Sequence, residues 1–587
     1  METIRALLEQ RLGAALAALG LPPEAEVPPA GDARFGDYQS NAAMVLAKQQ
    51  RQNPRQLAQA IVEKLDVGDL CEKVEIAGAG FLNFRLAPRW ISARFGALLH
   101  DARLGVPAPV QPRRFVIDFS SPNVAKPMHV GHIRSTFLGD SLARIARFVG
   151  HEVVRDNHIG DWGTQFGMLL LGWKTELDRA ALAADPLGEM ERIYKLISGR
   201  YKDDEATKER ARAELVKLQG GDAENFGIWH EMIRLSQAQF DDVYTRLGVK
   251  FDVTLGESFY NDRLAGVVTE LRAKGVARES EGAICVFSDQ GGPPEKDPFL
   301  IKDEAGWRDN PALVLKKDGA ANYTTTDLAT LQYRLETWQP HEILYVTDGR
   351  QQLHFRQLFH IFARWQPETA ARVKLAHVWF GAILGEDGRP FKTRSGETVK
   401  LTDLLEEAVE RALKIVTDKS PEMPEADRRE IARTIGLGAV KYADLSPNRQ
   451  SDYTFSWDRM LSFNGNTAPY LQNAHVRIRS IFRKAETESI LRVAGEPQLS
   501  EPAEFALAKK LLQFGEIVPQ VLEDYRPNIL ATYLFELANT YHGFYESCPV
   551  LRSEEPARSA RLALCEVTAN VLRQGLLLLG IEAPERM

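Results

Sequence analysis

Residues 114–158 constrain the fold more than any other stretch of this chain. RFVIDFS (114–120) is a short run of bulky apolar residues of the kind found in a strand buried on both faces, and EVVRDNH (152–158) is a second. Between them, HIRSTFLGDSLARIARFVG (132–150) sets Ile133, Phe137, Leu138, Leu142 and Ile145 on one helical face and closes on Gly150, a residue suited to a left-handed C-cap. Strand, helix and strand in this order form a β-α-β crossover, and strands joined that way lie parallel in one sheet. Parallel sheets of the doubly wound kind bind ligands in the loops beyond the carboxyl ends of their strands. The loop at 120–132 is therefore the first place to look for chemistry.

The remainder of the 587 residues is too long for one core. Residues 1–105 read as a small α+β domain: Ile4, Leu7, Leu8, Leu12, Ala15, Leu16 and Leu19 recur at helical spacing, and GFLNFRL (80–86) alternates like a strand. The proline-rich GVPAPVQPRR (105–114) is a linker. Residues 106–405 form the α/β domain, interrupted at about 173–297 by a charge-rich stretch read as a helical insertion. The sheet resumes with TTTDLATLQYRLE, EILYVTD and KLAHVWFGAIL. Residues 406–587 carry amphipathic runs at 503–522, 528–548 and 559–579 and read as an all-helical domain.

Composition removes several classes of function. No apolar run is long enough for a bilayer, and Glu2, Arg5, Glu9 and Arg11 inside the first apolar pattern mark an amphipathic helix in place of a signal peptide. Cys71, Cys285, Cys548 and Cys565 are scattered, with no CxxC, so neither a disulfide framework nor a cysteine zinc site is expected, and a reducing cytosol fits. A net charge of −7 argues against a general nucleic-acid coat, while leaving room for a local basic face.

The loop reads SSPNVAKPMHVGH (120–132). A helix N-terminus offers unpaired N–H groups and partial positive charge to phosphate. Imidazoles at the loop end can donate to phosphate oxygens as charge builds there in a transition state. Gly131, between His129 and His132, would let a base or sugar lie against the backbone. The arrangement suits ATP held for attack at its α-phosphorus. It is not a P-loop, since no GxxxxGK[ST] occurs, and Gly78-Ala79-Gly80 lacks the third glycine of a dinucleotide fingerprint, with Asn83 in its place. A zinc pair would need another Cys or His ligand nearby, and the sequence offers none.

His129-Val130-Gly131-His132 resembles the first signature of class I aminoacyl-tRNA synthetases. The longer SSPNVAKPMHVGHIRST, with NHIGDWGTQFG (157–167), is similar to the bacterial arginyl-tRNA synthetases in particular. GEDGRPFKTRSGETVKL (385–401) stands where the second signature belongs, and NTAPYLQNAHVRI (466–478) is similar to the helix that opens the family's anticodon-binding bundle. The second signature departs from the usual pattern: Arg394 replaces a lysine, Phe391 stands at the first lysine, and Lys392 is one position away. The resemblance implies an α/β multidomain fold: a Rossmann-like catalytic domain with a helical insertion, a small α+β N-terminal domain that touches the tRNA elbow, and an all-α anticodon-binding bundle.

As a catalytic set the family pattern implies His129, His132, Lys126, Lys392 and Arg394. Gly131 and Gly349 join the histidines, Lys392 and Arg394 around ATP. For arginine it implies Asp118, Asp327 and Tyr323 at the guanidinium, with Ser120, Asn123 and Gln351 at the main-chain end. A guanidinium does need carboxylates in forked geometry, and Tyr323 and Asp327, four residues apart, would share a helical face. Such a pocket rejects ornithine and lysine without an editing domain.

For tRNA the pattern implies Phe81, Asn83, Tyr470 and Arg477, although Tyr470, Tyr541, Phe544 and Tyr545 read equally well as bundle core. The activity implied is ATP-dependent attachment of L-arginine to tRNA(Arg) through an arginyl-adenylate, with AMP and pyrophosphate released and activation dependent on bound tRNA. Mg²⁺ would accompany ATP, with no tightly bound metal or organic cofactor. The chain would act as a cytoplasmic monomer with no DNA or membrane partner. Two alternatives remain from the residues alone: another adenylyltransferase using HxGH, and a non-catalytic RNA-binding paralogue.

Overall fold

Five strands run in the order Lys374–His377, Glu342–Tyr345, Arg114–Asp118, Glu152–Asn157, Val253–Thr254, and every neighbouring pair is parallel. This is the sheet of a computed structural model that describes residues 1–289, 291–391, 399–488 and 496–587. The crossover read from the sequence joins its central strands: the helix Ile133–Val149 lies between Arg114–Asp118 and Glu152–Asn157, and Gly150 ends it at φ 112°. The chain builds outward from Arg114–Asp118 first to one side and then to the other. The order therefore reverses between Arg114–Asp118 and Glu342–Tyr345, which is where a sheet of this kind opens a crevice.

Burial on both faces explains the strand sequences. Val116, Ile343 and Tyr345 share a core with Leu328 and Leu331 of the helix Tyr323–Trp338, and with Phe355, Leu358, Phe362 and Trp365 of the helix Gln352–Trp365. Register then does something useful. Asp118 pairs with Tyr345 on one side and with Asp156 on the other, so the strand ends bring these side chains together at the crevice.

This sheet belongs to one of two compact units, Gln111–Lys419 with Ala439–Met460. Its insertion is helical only in part. Helices fill it up to Leu247, but Val253–Thr254 then joins the sheet edge, and Arg278–Ser280, Ala283–Val286 and Ala312–Leu315 make a small antiparallel sheet. The all-helical reading of 173–297 fails there because runs as short as AICV carry too little periodicity to separate strand from helix.

The second unit gathers Met1–Val110, Ser420–Gly438 and Leu461–Met587. In it Phe81–Leu86 is the middle strand of an antiparallel sheet between Tyr38–Ser40 and Cys71–Ala77. Glu516, on the helix Phe514–Asp524, accepts from the Tyr38 hydroxyl at 2.9 Å and from the Arg5 amide at 2.9 Å, so distant stretches of sequence share one body. The four cysteines are buried thiols. No helix among the described residues is long and apolar enough to cross a membrane.

Candidate active site

The loop leaving Arg114–Asp118 is built from unusual backbone. Ser120, Ser121 and Ala125 all have positive φ, at 70°, 47° and 62°, a region that costs non-glycine residues energy and is held only by its surroundings. Here the surroundings are specific. The Ser120 amide donates to Ser135 Oγ at 2.8 Å, and that hydroxyl donates to the Val346 carbonyl at 2.6 Å, across the crevice. Val124 N donates to Gly160 O, and Ala125 N to Ser236 Oγ.

At the loop's end the two histidines adopt a defined tautomer. His129 Nδ1 accepts from Gly131 N at 3.0 Å, and His132 Nδ1 accepts from His129 N at 3.1 Å, with ring centroids 4.1 Å apart. A neutral imidazole that accepts at Nδ1 carries its hydrogen on Nε2. Burial, reinforced by His129, pushes His132 down to about 3, and burial, then Lys126, lowers His129 as well. The pair is thus two neutral N–H donors. Gly131 has a different reason from the one read in the sequence: a Cβ there would lie 2.8 Å from His129 Cε1, so the glycine makes room for the histidine ring.

His129 and Gly131 border a cavity of about 700 Å³, lined also by Arg134, Gly349, Trp379, Phe380, Phe391 and Asp452, a size suited to a nucleotide; His132 packs on the His129 ring and is not among the lining residues. Lys126 sits with its ammonium 4.8 Å from the Tyr194 ring centroid. Lys392 and Arg394 lie outside the described residues. Of the residues flanking them, Phe391 lines the cavity, stacked on Phe455 at 4.5 Å, and Val399 O accepts at 3.0 Å from the amide of Val130, itself a lining residue. Arg134, two residues past His132, donates to Gly381 O at 2.9 Å and Ser451 O at 3.0 Å, and pairs with buried Asp444 at 3.0 Å. It clamps the cavity wall onto the helix.

The residues expected at arginine separate into two groups. Asp118, at the sheet end, accepts from Arg334 at 2.7 Å and from the Ser121 hydroxyl at 2.9 Å. Arg334 is fully buried and reaches Asp156 as well, at 2.8 Å. Burial keeps Asp156 above the usual carboxylate range despite that partner. Asn123 is exposed in the same loop, whereas the Ser120 hydroxyl is engaged with Tyr244 (2.8 Å) and Thr136 (2.9 Å). Gln351 is exposed in the turn Gly349–Gln351.

The second group surrounds Asp327. Its carboxylate accepts from His354 Nε2 at 2.6 Å, and the Tyr323 ring, 60% exposed, meets the same imidazole edge-on at 4.8 Å. Sequence reading missed Glu257 here. Burial, then the charges of Asp327 and Asp161, raise its carboxyl to about 8. It starts the short turn Glu257–Tyr260 that follows the edge strand, inside the stretch read as helical, and Asp161 pins that turn by accepting from Ser258 N at 2.8 Å and Ser258 Oγ at 2.6 Å. An acid three residues after the β-branched pair Val253-Thr254 was the available signal.

In the other unit, Asn83 is buried and accepts from Gln39 at 2.8 Å, while Phe81 is half-buried. Tyr470 is half-exposed and donates to Asn539 at 2.7 Å; Arg477 is exposed. Tyr541 and Phe544 are core, and Tyr545 is exposed. Among the described residues no group of three His, Cys, Asp or Glu side chains could hold a metal ion.

Comparison with known proteins agrees along the whole chain. A family model for the catalytic domain of class I tRNA synthetases (R) matches residues 95–457, one for the DALR anticodon binding domain matches 471–587, and one for the arginyl tRNA synthetase N-terminal domain matches 2–86. The arginine–tRNA ligases of Chromobacterium violaceum and Erwinia tasmaniensis are 47% and 46% identical, over 100% of both chains in each case. The arginyl-tRNA synthetase structures of Thermus thermophilus and Plasmodium falciparum superpose with TM-scores of 0.84 and 0.82 at 28% identity, again over 100% of both chains. With its histidine pair, its crevice and all three domain matches in agreement, the chain belongs to the arginyl-tRNA synthetase family of class I.

Proposed function

We propose that this chain attaches L-arginine to tRNA(Arg) in two steps. The arginine carboxylate attacks the α-phosphorus of ATP, the bond to the β-phosphate oxygen breaks, and pyrophosphate leaves. A hydroxyl of the tRNA's terminal ribose then attacks the arginyl-adenylate carbonyl, and AMP leaves. His129 and His132 donate from Nε2 to the phosphate oxygens; as neutral groups they do so without binding the substrate's charge too tightly in the ground state. Lys126 and the cations of the 392–398 stretch, Lys392 and Arg394, neutralise the triphosphate; Gly349 lets the nucleotide approach the backbone, while Gly131 makes room for the His129 ring beside it. Mg²⁺ would accompany ATP and supply further charge neutralisation at the triphosphate, with no dedicated protein cage.

The guanidinium is held by Asp327, Glu257 and the face of Tyr323. Asp118, whose charge is already shared with Arg334, takes the main-chain ammonium with Asn123, and Gln351 takes the carboxylate end. The observation that carries this reading is the commitment of both Nδ1 atoms, which leaves His129 as an N–H donor in the wall of a nucleotide-sized cavity and His132 as a second donor packed against its ring. Phe81, Tyr470 and Arg477 are the proposed tRNA contacts.

Pyrophosphate exchange with and without a tRNA(Arg) transcript tests the reading. Arginine-dependent exchange that needs the tRNA supports it. Exchange without tRNA on another acid substrate would favour a different adenylyltransferase, and no exchange at all a non-catalytic RNA-binding protein.

A further inference from the structure

Tyr323 and Asp327 converge on a group that neither the sequence pattern nor the two-step chemistry requires. His354 stands in the first turn of the helix Gln352–Trp365, three residues after Gln351. Its Nε2 lies 2.6 Å from Asp327 Oδ2, and because a carboxylate oxygen only accepts, Nε2 is the donor. The same ring meets the edge of Tyr323 at 4.8 Å and is flanked by Phe355 at 5.2 Å. The His354 side chain is 15% exposed and that of Asp327 25%, so the bond is sheltered while the carboxylate keeps an accessible side.

From this geometry we propose that His354 is a positioning residue for arginine selection, acting through Asp327 and Tyr323. The inference rests on the reading of Asp327 as a guanidinium carboxylate. An aspartate alone on a helix turns about its side-chain bonds, and a forked guanidinium is bound well only when the carboxylate plane is fixed. His354 occupies one lone pair of Oδ2 and so sets that plane. Oδ1 and the second lone pair of Oδ2 remain for the ligand. Contact with Tyr323 couples the aromatic wall to the same ring. A compact ammonium, as in lysine or ornithine, makes no demand on the plane. The brace therefore favours arginine over these competitors.

The test is tRNA-dependent pyrophosphate exchange on the full-length chain, with KM for arginine and for ATP measured separately in wild type, His354→Ala, His354→Gln and Asp327→Asn. Inhibition by lysine is measured alongside. His354→Ala is expected to raise KM for arginine about tenfold, the equivalent of about 1.4 kcal/mol, with KM for ATP within about twofold and lysine inhibition little changed. His354→Gln, which keeps a donor near the Nε2 position, should recover most of the loss. In the double variant with Asp327→Asn, removing His354 should add little.

Unchanged arginine KM in His354→Ala, with Asp327→Asn strongly impaired, would overturn the role of His354 and leave the pocket reading standing. Equal losses for arginine and ATP without rescue by glutamine would make His354 a folding residue and also overturn it. Normal arginine KM in Asp327→Asn would overturn the pocket reading, and this inference with it.

Discussion

Glu257 gives a sharp physical handle on the proposed arginine pocket. Its carboxyl is raised to about 8, first by burial and then by the neighbouring Asp327 and Asp161. At about pH 7 roughly nine-tenths of it is protonated in the free protein. A guanidinium brought against Asp327 and Glu257 supplies the missing counter-charge and returns the carboxyl toward its ordinary value. Binding arginine then expels one proton. If the bound-state value falls well below about 6, the dissociation constant should drop about 50-fold between about pH 6 and pH 8 and level off above. Calorimetric titration of arginine at neutral pH, in two buffers of different ionisation heat, should report about 0.9 proton released. Glu257→Gln should abolish both the release and the slope. The sign on stability is opposite. An acid whose folded value is raised favours the folded state while protonated, a contribution lost as pH rises from its ordinary range through about 8. A buffer-independent heat, with affinity flat across the same range, would refute the reasoning.

Two further outcomes test the nucleotide side. Gly131→Ala places a methyl 2.8 Å from His129 Cε1, which must swing the ring off the Gly131 amide; exchange should slow by about 100-fold with arginine KM nearly unchanged, and an unaltered rate would show the ring tolerates the shift. Asp444→Ala leaves the Arg134 guanidinium buried without its counter-charge and should cost about 3–5 kcal/mol, seen as an earlier urea unfolding onset and weaker ATP binding. Normal unfolding would mean Arg134 is held by the Gly381 and Ser451 carbonyls alone.

Local pattern carried the sequence reading as far as local physics reaches. The crossover at 114–158 was legible because strand hydrophobicity, helix period and a C-cap glycine all act within a few residues. HxGH was legible as a candidate nucleotide-transfer motif, but the reason for Gly131 was not, since it depends on where the His129 ring folds back. Asp118 reads from the resemblance as a carboxylate for the substrate guanidinium, and only the three-dimensional arrangement reveals the chain's own Arg334 lying across it and Asp156. Glu257 was hidden because the two-residue strand before it is too short to register as periodicity. Of the aromatics weighed as base-stacking candidates, Tyr541 and Phe544 proved to be core while Tyr545 stays exposed. The fourth, Tyr470, is half-exposed, a distinction that helical spacing alone cannot draw.

The piece Ala439–Met460 belongs with the catalytic sheet although the chain on both sides of it belongs to the other body. A gene truncated at residue 419 would encode every signature in the α/β sequence yet lack Gln450 and Asp452, which wall the cavity, and Asp444, which neutralises Arg134. A minimal adenylating fragment must therefore either run on to Met460, carrying Ser420–Gly438 of the other body with it, or have the piece grafted back by a short designed connection from 419 to 439.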